Sequence, residues 1–304
     1  MRKGKDKGMK LELKNIEKSF GEKEVLKQIS LTAEGGKAFG LLGRNGAGKT
    51  TTIRILMNVF PANAGEVLMD GKPIDYNKVK LGYLPEERGL YPKKKIIDQL
   101  TYFAELKGMS HSDAVASIDY WLDRLGMMEH RNKRLDTLSK GNQQKIQLIT
   151  AIAHDPQIVI LDEPFSGLDP VNAMLLKDVV MEEIEKGKIV LFSSHQMNYI
   201  EEFCDSIAIL NGGKVVLTGD LHDIKRNYPR NRLVVRSLAA DRIKEELGQR
   251  CEKTAEDELM IYLDSEDEKK AVMASLTGHY DIDEIKVFEP TLTDIFVEYA
   301  GNQV

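Results

Sequence analysis

The chain is short of the features that mark several protein classes. It has two cysteines, Cys204 and Cys251, among 304 residues. That is too few for a disulfide framework, and a reducing compartment is expected. No apolar run approaches the roughly 18 residues of a membrane span. There is no basic excess: 43 Lys and Arg against 48 Asp and Glu leave a net charge of −5, so nucleic acid is not an expected partner. The opening MRKGKDKGMK is basic, but no apolar segment follows it as in a secretory signal. Residues 1–8 are expected to form a disordered tail. Low-complexity tracts and long repeats are missing as well.

What remains is the composition of an ordinary globular protein, 42% hydrophobic and 30% charged, long enough for one large domain or two smaller ones. KLELKNI (10–16) and QISLTA (28–33) alternate like antiparallel strands with one wet face. KAFGLLG (37–43) is an apolar strand running into glycines, and helical spacing follows it. From Ile96 to Glu129 the pattern is helical. Buried-type strands return at 158–161 and 189–194, with shorter ones at IAIL and KVVLTG. NYPRN (227–231) marks a linker, and strands and helices alternate beyond it. The fold class expected is α/β: a core with an antiparallel β subdomain and a helical insert, followed by a small C-terminal α+β domain.

GRNGAGKT, Gly43 to Thr50, matches G-x-x-x-x-G-K-[ST] between a predicted strand and a predicted helix. Glycines let successive backbone N–H groups converge on phosphate oxygens at a helix N-terminus of partial positive charge. Gly43, Asn45, Gly46, Ala47, Gly48 and Thr51 are therefore candidate nucleotide contacts. Lys49 can reach β- and γ-phosphates, and the Thr50 hydroxyl suits Mg²⁺. IVILDEP delivers Asp162 and Glu163 to the end of an apolar strand. An Asp there can hold Mg²⁺, and a Glu directly after it can polarise the attacking water. His195 ends another buried strand, and parallel sheets gather ligand groups at the carboxyl ends of their strands.

In this order the motifs resemble those of ATP-binding-cassette (ABC) transporter ATPases, with GRNGAGKT as the Walker A loop, IVILDEP as Walker B, SGLD (166–169) as the D-loop and SSH as the switch-histidine segment. LSKGNQQ resembles the family signature, usually LSGGQ, with Lys140 and Asn142 in place of Gly and Gln. GYLPEERGLY (82–91) resembles the Q-loop, with Glu86 in place of the usual Gln; Glu86 is a candidate Mg²⁺ ligand or a partner for Arg88. Phe20 matches the aromatic that stacks on adenine. The resemblance covers about residues 9–225, with the helical insert at about 90–150.

The resemblance implies ATP and Mg²⁺ as cofactors, Glu163 and His195 as catalytic residues, and a head-to-tail dimer with a second ATPase subunit, a homodimer being expected and a heterodimer left open. Ser139, Gly141 and Asn142 would then close on the partner's nucleotide. EPTLTDIFVEYAG (289–301) looks like the end of ATPases from bacterial drug, sodium and peptide exporters. Leu292, Ile295, Phe296 and Tyr299 form its apolar face. The expected domain at 226–304 reads as a separate unit outside the nucleotide site. The implied function is the ATP-hydrolysing subunit of a membrane exporter, held at the cytoplasmic face of the cell membrane by integral-membrane permease subunits. A soluble cassette ATPase acting on ribosomes or DNA is the alternative; such proteins usually carry two cassettes or a long coiled coil.

Overall fold

A computed structural model describes residues 8–87 and 89–301. The expected tail, apart from Gly8, and Arg88 lie outside the described residues. The chain opens with a hairpin of β1 (Lys10–Phe20) and β2 (Lys23–Glu34), antiparallel with Leu13 opposite Leu31 and Phe20 opposite Lys23. Both strands run longer than their apolar alternation suggests, because the hairpin end is polar and exposed. Strand β3 (Lys37–Gly43) then runs into the glycine loop and helix α1 (Lys49–Leu56). Strands β4 (Ala64–Met69) and β5 (Lys72–Pro73) complete the first sheet, antiparallel in the order β2-β1-β4-β5.

Strand β6 (Leu81–Leu84) belongs to a second sheet. Helices α2 (Ile96–Leu106), α3 (His111–Arg124) and α4 (Lys140–Ile152) form the insert. Then come β7 (Ile158–Asp162), α5 (Pro170–Glu185), β8 (Ile189–Ser193), α6 (Met197–Phe203), β9 (Ser206–Asn211) and β10 (Lys214–Asp220). The second sheet has the order β10-β9-β3-β8-β7-β6, parallel except for the β10–β9 pair. Every residue of β7 and β8 is buried, which explains their unbroken apolar runs. Leu11, Leu13 and Ile16 from the first sheet share one core with Leu41, Ile160 and Leu191 from the second and with Ile53 and Leu56 of α1. Each such side chain contributes roughly 1.5–3 kcal/mol by burial. That packing fixes the strand ends on which the site is built.

Helix α7 (Leu221–Arg226) leads to β11 (Arg232–Arg236), α8 (Ala240–Leu247), β12 (Cys251–Lys253), β13 (Glu258–Tyr262), α9 (Lys269–His279), β14 (Glu284–Val287) and α10 (Leu292–Gly301). The strands make an antiparallel sheet, β12-β13-β11-β14, over a core of Leu233, Val235, Ile243, Leu259, Ile261 and Leu276. Two compact units result: one holds the chain through His222 and again from Phe296 onward, and the other holds Asp223–Ile295. The architecture is the expected α/β core with an antiparallel subdomain, a helical insert and a small C-terminal α+β unit.

Candidate nucleotide site

Parallel pairing of β3, β8, β7 and β6 brings four strand ends to one edge, with Asp162 in register with Ser193 on β8 and Leu84 of β6 beside Leu161 of β7. The loops that leave these ends carry the site. Between β3 and α1, Gly48 caps the helix at φ 113° with no side-chain hydrogen bond to the first turn. The amides there are free of side-chain competition, as an anion site needs. Glycine is required at this position: the backbone is left-handed, and a Cβ would fall 2.5 Å from Leu26 Cδ2. Lys49 Nζ donates to Gly43 O at 2.6 Å across the loop. Burial lowers the pKa of Lys49, while the carboxylates of Glu163, Asp162 and Glu86 oppose that shift.

Asp162 is buried, and burial raises its pKa, with further upward pressure from the negative charges of Glu86 and Glu163. Tyr83 Oη donates to Asp162 Oδ2 at 3.4 Å. Burial and that same carboxylate push the Tyr83 phenol up to about 12. Glu163 occupies left-handed backbone at φ 50°, costly for a residue with a side chain. Its carboxylate holds it there. Ser194 Oγ donates to Oε2 at 2.9 Å, the His195 backbone N–H donates to Oε1 at 2.8 Å, and His195 Nδ1 lies 2.7 Å from Oε1. An ionised carboxylate only accepts, so the Nδ1 of His195 carries the proton.

Gly43, Asn45, Gly46, Gly48, Lys49, Thr50, Thr51, Glu86, Asp162, Glu163 and His195 all line one cavity of ≈ 1120 Å³. Ala47 does not; its methyl is part of the core, and its N–H donates to Arg44 O at 3.0 Å. Phe20 is also outside the lining residues. Its ring meets Phe60 edge-on at 5.4 Å, and the Lys18 ammonium stands 5.3 Å from its centroid. Ser139, Gly141 and Asn142 open α4 away from this lining, with Ser139 Oγ accepting from Asn142 N at 3.3 Å. Residue 296 departs from expectation. The C-terminal segment reads as lying outside the nucleotide site, yet Phe296 lines the cavity.

Sequence reasoning missed two glutamines of α4. Gln147 Nε2 donates to Pro85 O at 3.0 Å and Glu87 O at 3.2 Å, bracketing Glu86; Gln144 Nε2 donates to Pro164 O at 3.1 Å, just past Glu163. Their signal was two glutamines three apart on one helix face, both buried.

Residues 26–166 match the family model described as ABC transporter, and residues 219–300 match that of the ATP-binding protein DrrA1-3-like C-terminal domain. An uncharacterized ABC transporter ATP-binding protein of Bacillus subtilis (strain 168), YhaQ, is 42% identical over 96% of this chain and 98% of its own length. The chain belongs to the ABC transporter ATP-binding family. Also similar to this ABC subunit is the linearmycin resistance ATP-binding protein LnrL of the same organism, 29% identical over 96% of this chain and 98% of its own. A solved structure described as an ATP binding subunit of an ABC transporter superposes with a TM-score of 0.66 at 29% identity, covering 72% of this chain and 92% of that one. ABC ATPases of this family bind and hydrolyse ATP, so the cavity belongs to an ATPase subunit.

Proposed function

We propose that the chain is the ATPase subunit of a membrane exporter, binding MgATP in the cavity above and driving separate integral-membrane permease subunits from the cytoplasmic face of the membrane. The observation that carries this reading is the convergence of the Gly43–Thr51 loop with Glu86, Asp162, Glu163 and His195 on one cavity. The resistance function named for LnrL supports export. No helix among the described residues is long and apolar enough to cross a membrane, so this chain's own helices supply no membrane path and permease subunits are assigned that part. Residues 9–225 are proposed as the nucleotide-binding domain and 226–304 as the accessory domain.

Lys49 and the loop amides would hold the β- and γ-phosphates. Thr50, Asp162 and Glu86 offer only hard oxygen donors, the set that suits Mg²⁺. Among the described residues no group of three or more His, Cys, Asp or Glu could hold a metal by itself. The fit is therefore to a cation completed by phosphate oxygens and water, the usual state of bound Mg²⁺. When bound, Mg²⁺ neutralises charge on the phosphates, and it would relieve the crowding of negative charge around Asp162.

Glu163 is assigned as general base and His195 as the switch histidine. Three hydrogen bonds occupy three of the roughly four acceptor positions of the Glu163 carboxylate. The vacant one, on Oε2, remains for a proton of the attacking water. Ser139, Gly141 and Asn142 are assigned to the nucleotide of a second, identical subunit packed head to tail. An added Cβ at Gly141 would make only ordinary contacts, at 3.5 Å from Asn172 Nδ2 and Leu168 Cδ2. Nothing inside the chain demands glycine there, although glycine in a helix costs about 1 kcal/mol. Close approach of a partner's nucleotide supplies the reason.

The test is Glu163→Gln. It should keep MgATP binding, slow hydrolysis by about 10²–10⁴-fold, the usual size of general-base loss, and hold the chain as a dimer in light scattering with ATP. Hydrolysis near the wild-type rate would remove Glu163 from the base role. Co-purification of the wild type with ribosomes, and with no integral-membrane protein, would favour the soluble alternative.

A further inference from the structure

Asp162 ends the middle one of three neighbouring parallel strands, and a hydroxyl stands on each side of it. Strand β8 places Ser193 in register with Asp162, and β6 places Tyr83 in register with Ile160, two residues before it. Side chains in register, or two apart, share one face of a parallel sheet. Tyr83, Asp162 and Ser193 therefore lie on the same face. The two-residue offset is roughly 6.6 Å along a strand, a span that the long tyrosine side chain covers. From there Tyr83 Oη donates to Asp162 Oδ2 at 3.4 Å.

Packing outside the cavity holds both hydroxyls. The Tyr83 ring packs against the core that contains Ile53, Ile160 and Leu191. On the opposite face of β6, Gly82 is pressed against α4: a Cβ there would fall 2.0 Å from Ala151 O. The strand cannot slide without moving that helix, so the phenol has a fixed origin. Ser193 is 1% exposed. Its Oγ has no hydrogen-bond partner among the described residues, although it stands close enough to Asp162 to oppose the upward push of burial on that carboxyl's pKa. A buried hydroxyl without a partner is rare and costly, and its proton can rotate to meet an acceptor. Neither Tyr83 nor Ser193 lines the nucleotide cavity; Asp162, between them, does.

We infer that Tyr83 and Ser193 are the positioning residues of Asp162, two hydroxyl donors that aim its carboxylate at the cation of the bound nucleotide. Tyr83 takes Oδ2. At 3.4 Å the contact is longer than the roughly 2.5–2.7 Å of a tight hydroxyl–carboxylate bond, so the phenol orients the carboxylate without clamping it. Ser193 makes no bond of its own and is the donor available to the carboxylate from the other side. The inference rests on the MgATP reading above and adds to it the groups that orient one metal ligand.

The experiment measures equilibrium binding of adenylyl imidodiphosphate, a non-hydrolysable ATP analogue, to the full-length chain at saturating Mg²⁺ and again in EDTA. The ratio of the two affinities is the part of binding that runs through the cation. Wild type, Tyr83→Phe and Ser193→Ala are compared, and each is also melted in EDTA without nucleotide. Expected is a ratio about 5- to 15-fold smaller in either variant, the net size of one hydrogen bond between the neutral and the charge-assisted range, with affinity in EDTA unchanged. Tyr83→Phe keeps the ring and should melt within a few degrees of wild type. Ser193→Ala has no bond to lose without the cation, so its melt should stay at or above that of wild type. A merely structural role would instead lower the melt and both affinities together and leave the ratio alone. An unchanged ratio in either variant, or a loss shared equally by Mg²⁺ and EDTA, would overturn the assignment. So would a wild type that binds the analogue with no response to Mg²⁺, though the nucleotide reading would stand. A wild type that binds the analogue in neither condition would refute that reading and this inference with it.

Discussion

Replacing Gln147 by Leu tests whether the helix that begins at Ser139 sets the position of Glu86. The side chain is 3% exposed, and its amide nitrogen donates to the carbonyls of Pro85 and Glu87. Leucine has nearly the same volume but no donor, so the substitution removes two hydrogen bonds and little packing. Each neutral hydrogen bond contributes about 0.5–1.5 kcal/mol net, which gives about 1–3 kcal/mol for the pair. Pro85 is half-buried and Glu87 exposed, so water can reach the orphaned carbonyls and the lower part of that range applies, about 1–2 kcal/mol. For a unit of this size, 1 kcal/mol moves Tm by roughly 2–4 °C. Calorimetry should then show the transition lowered by about 2–8 °C. Glu86 sits between the two tethered carbonyls, so its carboxylate loses its fixed place. Small misplacements in an active site cost up to about 10²-fold, and ATP turnover should fall by about 10- to 100-fold with ATP affinity within a few-fold of wild type. A Gln147→Leu protein with wild-type Tm and turnover would show that the tether carries no weight.

Two acids yield further predictions. Glu86→Gln removes a negative charge that raises the Asp162 pKa, so the acidic limb of the pH–rate profile should move to lower pH, and more Mg²⁺ should be needed for half-maximal hydrolysis; superimposable profiles and titrations would place Glu86 outside the metal site. Asp162→Asn should abolish turnover yet stabilise the nucleotide-free protein at pH 7 by about 0.5–2 kcal/mol, the usual gain when a functional strain is removed. The sign follows from burial: the folded pKa lies above the ordinary carboxyl value of 3.8, so the folded state binds the extra proton, and stability falls as pH rises from that value through the folded pKa. The gain should therefore vanish below about pH 3.8 in thermal melts, and a less stable Asp162→Asn protein at pH 7 would contradict it.

Local motifs were the legible part of the sequence. The glycine loop, the strand ending in Asp162 and the strand ending before His195 each announce themselves within ten residues, because backbone geometry and apolar runs are short-range properties. The parallel core and the alternating C-terminal strands followed from the same periodicity. The short or edge strands β4, β5, β6 and β12 did not, since a few residues with mixed polarity look the same as a loop. The contacts that tune the site were also hidden. Gln147 reaches residues about 60 positions earlier, and Phe296 shares a cavity with Val25. No periodicity marks a side chain whose partner is that far along the chain. Phe20 was legible only by position, and position did not disclose that Phe60 and Lys18 lie beside its ring, which stays half exposed.

The first unit is discontinuous, interrupted by residues Asp223–Ile295 and resumed at Phe296. During synthesis, N-terminal segments fold first. The phosphate loop, the acids and His195 all emerge before the interruption, and Phe296, which lines the same cavity, emerges after it. A nascent chain can thus build its catalytic edge before the interrupting unit is made, and one lining residue joins the cavity only after it. Ligand that binds only the folded state stabilises it by mass action, and most of the residues lining the cavity precede the interruption. The catalytic edge is therefore encoded ahead of the inserted unit, while the cavity draws its lining from chain segments both before and after it.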